Sequence, residues 1–152
     1  MTKTSVLRHI RAPRAAVYRA LVDATAIATW RVPDNMTAVV HAFDPRPGGE
    51  FRISLTYDSP AQRGKTAANT DTYRGRFLTL VPDERVIEEV EFETADSAVR
   101  GPMRMTTTLT DADGGTDAVM LHESIPAGIS AVDNATGTRM ALDKLAALVE
   151  SR

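Results

Sequence analysis

The sequence predicts an α+β fold: a curved antiparallel sheet of six to seven strands wrapped round one long C-terminal helix, with two short helices after strand one. Three observations carry this. Ser130 to Glu150 places small and apolar residues at helical spacing, Met36 to Glu123 is a run of alternating segments joined mostly by short turn signals, and Pro13 to Trp30 is helical in pattern. Strands in a consecutive run pair antiparallel with their neighbours, and one long helix must then cover the apolar face they make.

Around Ser5 to Ile10 the residues alternate, Val6, Arg8 and Ile10 against Ser5, Leu7 and His9, as a strand requires. Pro13 suits the first turn of a helix, where its missing N–H costs little, and Val17, Leu21 and Tyr18 give that helix an apolar face through Val22. Asp23 is placed to cap a second helix, Ala24 to Trp30, which Pro33-Asp34-Asn35 ends. The period then changes to two. Met36 to Phe43 is a strand, followed by the turn Asp44 to Gly49. In Glu50 to Tyr57, Phe51, Ile53, Leu55 and Tyr57 face one way and Glu50, Arg52, Ser54 and Thr56 the other, the signature of a half-buried antiparallel strand. Asp58 to Thr70 is polar and long for a hairpin connection, which predicts a lid or loop tip.

Thr72 to Leu80 is the next strand, with Tyr73, Gly75 and Phe77 on one face and Gly75 marking a bulge or sharp bend. Val86 to Glu93 follows, with Val86, Glu88, Val90 and Phe92 on one face. Met103 to Thr110 and Thr116 to Glu123 form a hairpin around Asp111 to Gly115. Met103, Met105, Thr107 and Leu109 share a face of the first strand; in the second, either Ala118, Met120 and His122 or Val119 and Leu121 point inward. The final helix starts at Ser130, with Asp133 three residues on as in a capping box. Gly137, Ala141, Leu145 and Leu148 form its stripe, small residues first and large ones last, so its early half either approaches the sheet closely or leaves a space.

At 152 residues the chain suits one domain, residues 1–152, that needs no staple to hold its core. It has no cysteine, which removes disulfides, thiolate metal sites and cysteine nucleophiles. Eighteen basic against twenty acidic residues leave a net charge of −2, without the basic excess that nucleic acid recognition uses. No apolar run reaches the length of a signal peptide or of a membrane span, so a soluble cytoplasmic protein is expected.

Several short motifs fall in a shared order: Ala12-Pro13-Arg14-Ala15-Ala16-Val17-Tyr18 after strand one, Trp30 closing helix two, and Arg46-Pro47-Gly48-Gly49-Glu50-Phe51-Arg52 before strand three. Tyr73-Arg74-Gly75 then leads to Val81-Pro82-Asp83-Glu84-Arg85, and His122-Glu123-Ser124-Ile125-Pro126 precedes the last helix. Together, over about residues 4 to 150, they resemble the START-like, helix-grip superfamily (SRPBCC), to which birch-pollen allergens, lipid-transfer domains and polyketide cyclases also belong. Within it the chain looks most like the branch named after the activator of the heat-shock chaperone ATPase. The resemblance implies an apolar cavity between the sheet and the last helix. It does not by itself imply a reaction, since one fold hosts many functions. The branch often has a Gly-Trp pair early in the last helix; here Gly137-Thr138 stands in its place, which implies a wider space near Gly137.

Among titratable residues, His122 beside Glu123 is a candidate general base, set against the plainer reading of a half-buried strand histidine bonded to backbone. Glu88, on an apolar face, needs a partner if it is inward and is the second weak catalytic candidate, set against pairing with an arginine. His9 and His41 lie on other strands, no His or carboxylate pair shows ligand spacing, and Gly48-Gly49 lacks the strand-to-helix context of a phosphate loop. No metal, cofactor or nucleotide is therefore expected.

The expected function is binding of a small apolar or amphipathic molecule between sheet and helix. The strands offer Phe51, Ile53, Leu55, Tyr57, Tyr73, Phe77, Met103, Met105 and His122 to its lining, and the helices offer Trp30, Gly137 and Ala141. Phe77 and Met105 would sit deep, and Tyr57 and Trp30 near the mouth. Met36, Met103, Met105, Met120 and Met140 are numerous, and methionine adapts to irregular apolar shapes. Two other readings compete: a cofactor-free cyclase or dehydratase in which His122 or Glu88 moves protons, and a protein-interaction module, chaperone partners and homodimers included. Outward rows such as Arg52, Arg74, Arg76, Glu89 and Glu91 are charged, which weighs against a large apolar docking face.

Overall fold

The computed structural model describes residues 2–58 and 69–151, so the expected lid at Asp58 to Thr70 lies almost wholly outside the described residues. Seven strands form one antiparallel sheet: β1 (Thr2–Ile10), β2 (Met36–Phe43), β3 (Glu50–Tyr57), β4 (Thr70–Val81), β5 (Arg85–Phe92), β6 (Met103–Ala112) and β7 (Gly115–Ile125). Helices α1 (Arg14–Leu21) and α2 (Ala24–Trp30) connect β1 to β2, and α3 (Ala131–Glu150) closes the chain. The sheet order is β1-β7-β6-β5-β4-β3-β2, so every neighbour is consecutive in sequence except β1, which pairs with β7 from Thr2 opposite Ile125 to Ile10 opposite Thr116. This is the helix-grip α+β architecture that the pattern of elements predicts.

The local signals act as their chemistry requires. The Asp23 carboxylate accepts from Thr25 N–H at 3.4 Å, and Ser130 Oγ accepts from Asp133 N–H at 3.2 Å, so each helix start satisfies one orphan donor. The β6–β7 hairpin closes with Ala112 opposite Gly115, and its two loop residues, Asp113 and Gly114, have φ of 45° and 77°. That left-handed pair is a type I′ turn, whose twist matches the flanking strands.

The inward face carries the core. Phe51, Ile53 and Leu55 of β3, Val86, Glu88 and Val90 of β5, and Met103, Met105, Thr107 and Leu109 of β6 are all buried. In β7 the inward row is Ala118, Met120 and His122. Glu88, Met105 and His122 lie directly opposite one another across β5, β6 and β7 and therefore point to the same side of the sheet. The outward face is polar, with Arg52–Glu93, Arg74–Glu91 and Arg76–Glu89 ion pairs running across β3, β4 and β5.

Two details differ from the sequence reading. The buried stripe of α3 is Thr138, Leu142, Leu145, Ala146 and Val149, turned by about one residue from the expected Gly137–Ala141–Leu145–Leu148 line. Leu148 packs at its margin, and Gly137 is exposed. All but one of those buried residues fall in the second half of the helix, where each fully buried Leu or Val contributes about 1.5–3 kcal/mol. Gly75 pairs regularly with Phe51 and Val90, and the irregular register of β4 falls later, between Phe77 and Thr79. Glycine is needed at position 75 for a different reason: a Cβ there would sit 2.2 Å from the Glu89 carbonyl oxygen and 2.5 Å from the Phe51 ring. Gly75→Ala is expected to destabilise the fold by roughly 1–3 kcal/mol through this overlap, read as a lowered urea midpoint. A midpoint equal to that of the parent protein would mean that both the Phe51 ring and the β5 backbone at Glu89 give way freely.

Candidate functional site

The early half of α3 stands off the sheet. A Cβ added at Gly137 would meet nothing within 4 Å. Under this stretch lies a cavity of about 370 Å³, bounded by the sheet, the end of α2, the segment Gly128 to Ser130 and α3 as far as Ala141. The sheet contributes Leu55, Val90, Phe92, Met103, Met105 and Met120, and the helix side contributes Val32, Pro33, Ile129, Met140 and Ala141. A wall this apolar, with three methionines from the sheet, suits a ligand of irregular shape. Lys144 of α3 donates to the Val32 carbonyl and pairs with Asp34 at 3.0 Å, which ties the helix to the segment after α2 that forms part of the wall.

Within the apolar wall is a polar cluster organised by Arg31. This residue follows the last residue of α2 and caps the helix end through its backbone N–H to the Ile27 carbonyl at 3.0 Å. Its side chain drops onto the sheet. One guanidinium nitrogen donates to Glu88 Oε1 at 2.8 Å and another contacts Met105 Sδ at 3.2 Å. The guanidinium carbon lies 5.5 Å from the centroid of the Tyr73 ring and 5.9 Å from that of Phe51, within cation–π range of both. The side chains of Arg31 and Glu88 are 14% and 7% exposed, so this is a buried ion pair. Burial disfavours the Arg31 charge, but the Glu88 carboxylate and Tyr73 more than offset it and hold the guanidinium above its ordinary pKa.

Tyr73 and His122 complete the cluster. Among the described residues, neither the Tyr73 hydroxyl nor His122 Nδ1 has a hydrogen-bond partner, although both atoms are buried. Burial raises the Tyr73 pKa, with Arg31 opposing and Glu88 adding to the rise, so the phenol keeps its proton. Burial, helped by the nearby Arg31 charge, pushes His122 down to about 4, so its imidazole is neutral at physiological pH. Two unpaired polar atoms in residues of one cavity wall are uncommon, because an orphaned buried group costs about 1–3 kcal/mol.

Of the residues expected to line the cavity, the structure brings together Trp30, Leu55, Tyr73, Met103, Met105, His122, Gly137 and Ala141. Phe51, Ile53 and Phe77 are off its wall. They belong to the solid part of the core, where Phe77 meets Phe43 and Phe51 with ring centroids 5.6 and 5.2 Å away. Phe77 is thus deep in the core and not deep in the cavity. Tyr57 ends β3 opposite Met36, one inward position beyond Leu55, and does not reach the mouth. Nor is Trp30 a mouth residue: it is 1% exposed and its indole N–H donates to the Ala20 carbonyl at 2.8 Å. Glu88 is inward and takes the arginine partner. Arg31 is the residue the sequence reading missed. It lies between Trp30 and Pro33, outside any periodic segment, and only a buried carboxylate in need of a cation hinted at it. Among the described residues no group of three His, Asp or Glu side chains is placed to hold a metal ion.

The family model for Activator of Hsp90 ATPase homolog 1-like protein matches residues 11–150. A crystal structure of a protein from Chromobacterium violaceum is similar at 32% identity, covering 97% of this chain and 96% of that one, with a TM-score of 0.86. A protein from Rhodobacter sphaeroides shares the fold at 20% identity and a TM-score of 0.81, with 99% and 93% of the two chains covered. The solution structure of an AHSA1-like protein from Aeromonas hydrophila does so at 18% identity and a TM-score of 0.75, with the same coverage of 99% and 93%. No curated protein matches the chain.

Two outcomes are expected from the cluster. Arg31→Met strands the Glu88 carboxylate in an apolar site and should cost about 3–5 kcal/mol, while Arg31→Met with Glu88→Leu should recover most of that loss in chemical denaturation. For His122, an unfolded chain takes up a proton below pH 6.5 that the folded site refuses until about pH 4. Its contribution is therefore complete above pH 6.5 and is lost progressively as pH falls to about 4, a change on the order of 3 kcal/mol. A His122→Leu variant should lack that part of the decline; identical stability profiles for the two proteins would remove the cause assigned here.

Proposed function

The chain belongs to the Activator of Hsp90 ATPase homolog 1-like family, and from that premise we propose that it binds a small, largely apolar molecule between the sheet and α3. One observation carries the proposal: an apolar cavity of about 370 Å³ whose wall includes two residues with buried, unpartnered polar atoms, Tyr73 and His122. A chain under selection only for stability gains nothing from open space beside orphaned polar groups. A ligand that fills the space offsets the first of these costs. The volume falls in the range usual for small-molecule sites.

The competing readings have less to work with. A cyclase or dehydratase needs a group that can give and take a proton. Glu88 is committed to Arg31, and a neutral imidazole pushed down to about 4 is a weak base. For chaperone docking or a homodimer, the large exposed apolar side chains among the described residues are Leu7 on β1, Val39 on β2 and Val132 on α3, with β1 and β2 at opposite edges of the sheet. The outward rows of β3, β4 and β5 are paired charges.

Native mass spectrometry of the protein as purified tests the proposal, with Gly137→Leu as its control. Gly137 borders the cavity at an exposed position where an added Cβ meets nothing within 4 Å, so leucine there should narrow the cavity mouth without unfolding the helix. The expected result is a non-covalent adduct, or thermal stabilisation by apolar compounds, in the parent protein and its loss in Gly137→Leu. A parent protein that carries no adduct and gains no thermal stability from apolar compounds would end this reading.

A further inference from the structure

Only one member of the buried ion pair is on the cavity wall. Arg31 lines it together with Tyr73 and Met105, two wall residues that its guanidinium contacts. Glu88 does not; its side chain is 7% exposed and meets the guanidinium from behind at 2.8 Å. A molecule in the cavity therefore meets an arginine whose charge is already balanced.

Its hydrogen-bonding capacity is not balanced in the same way. A guanidinium carries five N–H donors. Nη1 gives one to Glu88 Oε1 at 2.8 Å, and Nη2 gives one to the Met105 thioether at 3.2 Å, a weak acceptor. Among the described residues Nε has no partner. The Tyr73 hydroxyl and His122 Nδ1 are also unpartnered, but those two atoms are sealed, whereas Nε is not and the Arg31 side chain keeps 14% of its surface open. The wall thus presents unused donors without an unmet charge.

Those two properties select the ligand. A carboxylate or phosphate would leave an excess negative charge in an apolar wall, and Asp133, the other charged side chain there, would add to the cost. An ammonium group would meet the guanidinium itself and offers it no acceptor. A neutral carbonyl oxygen brings no charge and accepts from a charged donor, a bond roughly twice as strong as one between neutral groups. We propose that Arg31 donates a hydrogen bond to the carbonyl oxygen of an uncharged ligand, a ketone, ester or lactone, whose apolar body fills the methionine-lined cavity. This inference rests on the cavity-binding reading above and deepens it by naming the polar group that is recognised and the residue that recognises it.

Three probes of one skeleton separate the two ideas in calorimetric titrations at neutral pH: 2-acetonaphthone, which has the carbonyl; 2-isopropylnaphthalene, which has the same shape without it; and 2-naphthoate, which is ionised. The expected order is 2-acetonaphthone first, by about fivefold to tenfold over the hydrocarbon, with 2-naphthoate weakest. Equal binding of ketone and hydrocarbon would overturn the carbonyl subsite and leave the cavity reading standing. Tightest binding of 2-naphthoate would overturn the uncharged assignment. Both of these outcomes are read on the parent protein and need no variant. Arg31→Met combined with Glu88→Leu removes the donor without stranding the carboxylate, and should bring the ketone down to the affinity of the hydrocarbon. A ketone preference that survives in this double variant would overturn the assignment to Arg31. Binding of none of the three probes would overturn both the subsite and the cavity reading.

Discussion

The site is built around the ion pair between Arg31 and Glu88. Two charges have been taken out of water and held at 2.8 Å, which is tolerable only because the geometry is good and the surrounding groups are polarisable: two aromatic rings and a thioether. The pair fixes where the end of α2 sits over the sheet. It thereby fixes Trp30, whose indole is locked to α1 through the Ala20 carbonyl, and the Val32–Pro33 segment that walls one side of the cavity. It also sets the electrostatics of its neighbours. The same positive charge that steadies Glu88 helps to keep His122 neutral.

The second constraint is the uneven taper of α3. Leu142, Leu145, Ala146 and Val149 seal the late half of the helix into the core, whereas Gly137, Met140 and Ala141 leave the early half raised over the sheet. A helix anchored at its late end by packing and by Lys144 to the Val32 carbonyl, and at its early end by Thr4 to Asn134, can span open space that a freely collapsing core would fill. Stability is concentrated where the side chains are large, and vacancy where they are small.

Much of this was legible because one face of the sheet is solvated. A half-wet strand must alternate, and Phe51-Arg52-Ile53-Ser54-Leu55 does so without ambiguity. Caps at Asp23 and Ser130 were readable from residue type alone. In β7 both rows are substantially apolar, so period could not choose between Met120 and Leu121; the structure chooses through pairing with β6. Period two assigns a residue to a face and says nothing of its place along it. Phe51, Phe77 and Tyr73 share the inward face, yet the first two complete the solid core and the third borders the cavity. Arg31 was invisible for a related reason. Its partner is 57 residues away, and nothing local marks a loop arginine as the one that a distant buried carboxylate requires.

The pairing of β1 with β7 has a consequence for how the molecule is made. β2 to β7 are joined in sequence order, so each can add to the sheet as it emerges from synthesis. β1 is translated before the other six, yet among the described residues its strand neighbour is the last of them, and it is held to α3 through Arg8–Asp143 and Thr4–Asn134. The opening strand must therefore wait for nearly the entire chain before it can dock, and the wall of the cavity that α3 supplies arrives in the same late step. Closure of the longest loop and completion of the binding chamber are one event, so a partly synthesised chain carries an unfinished sheet edge and no chamber at all.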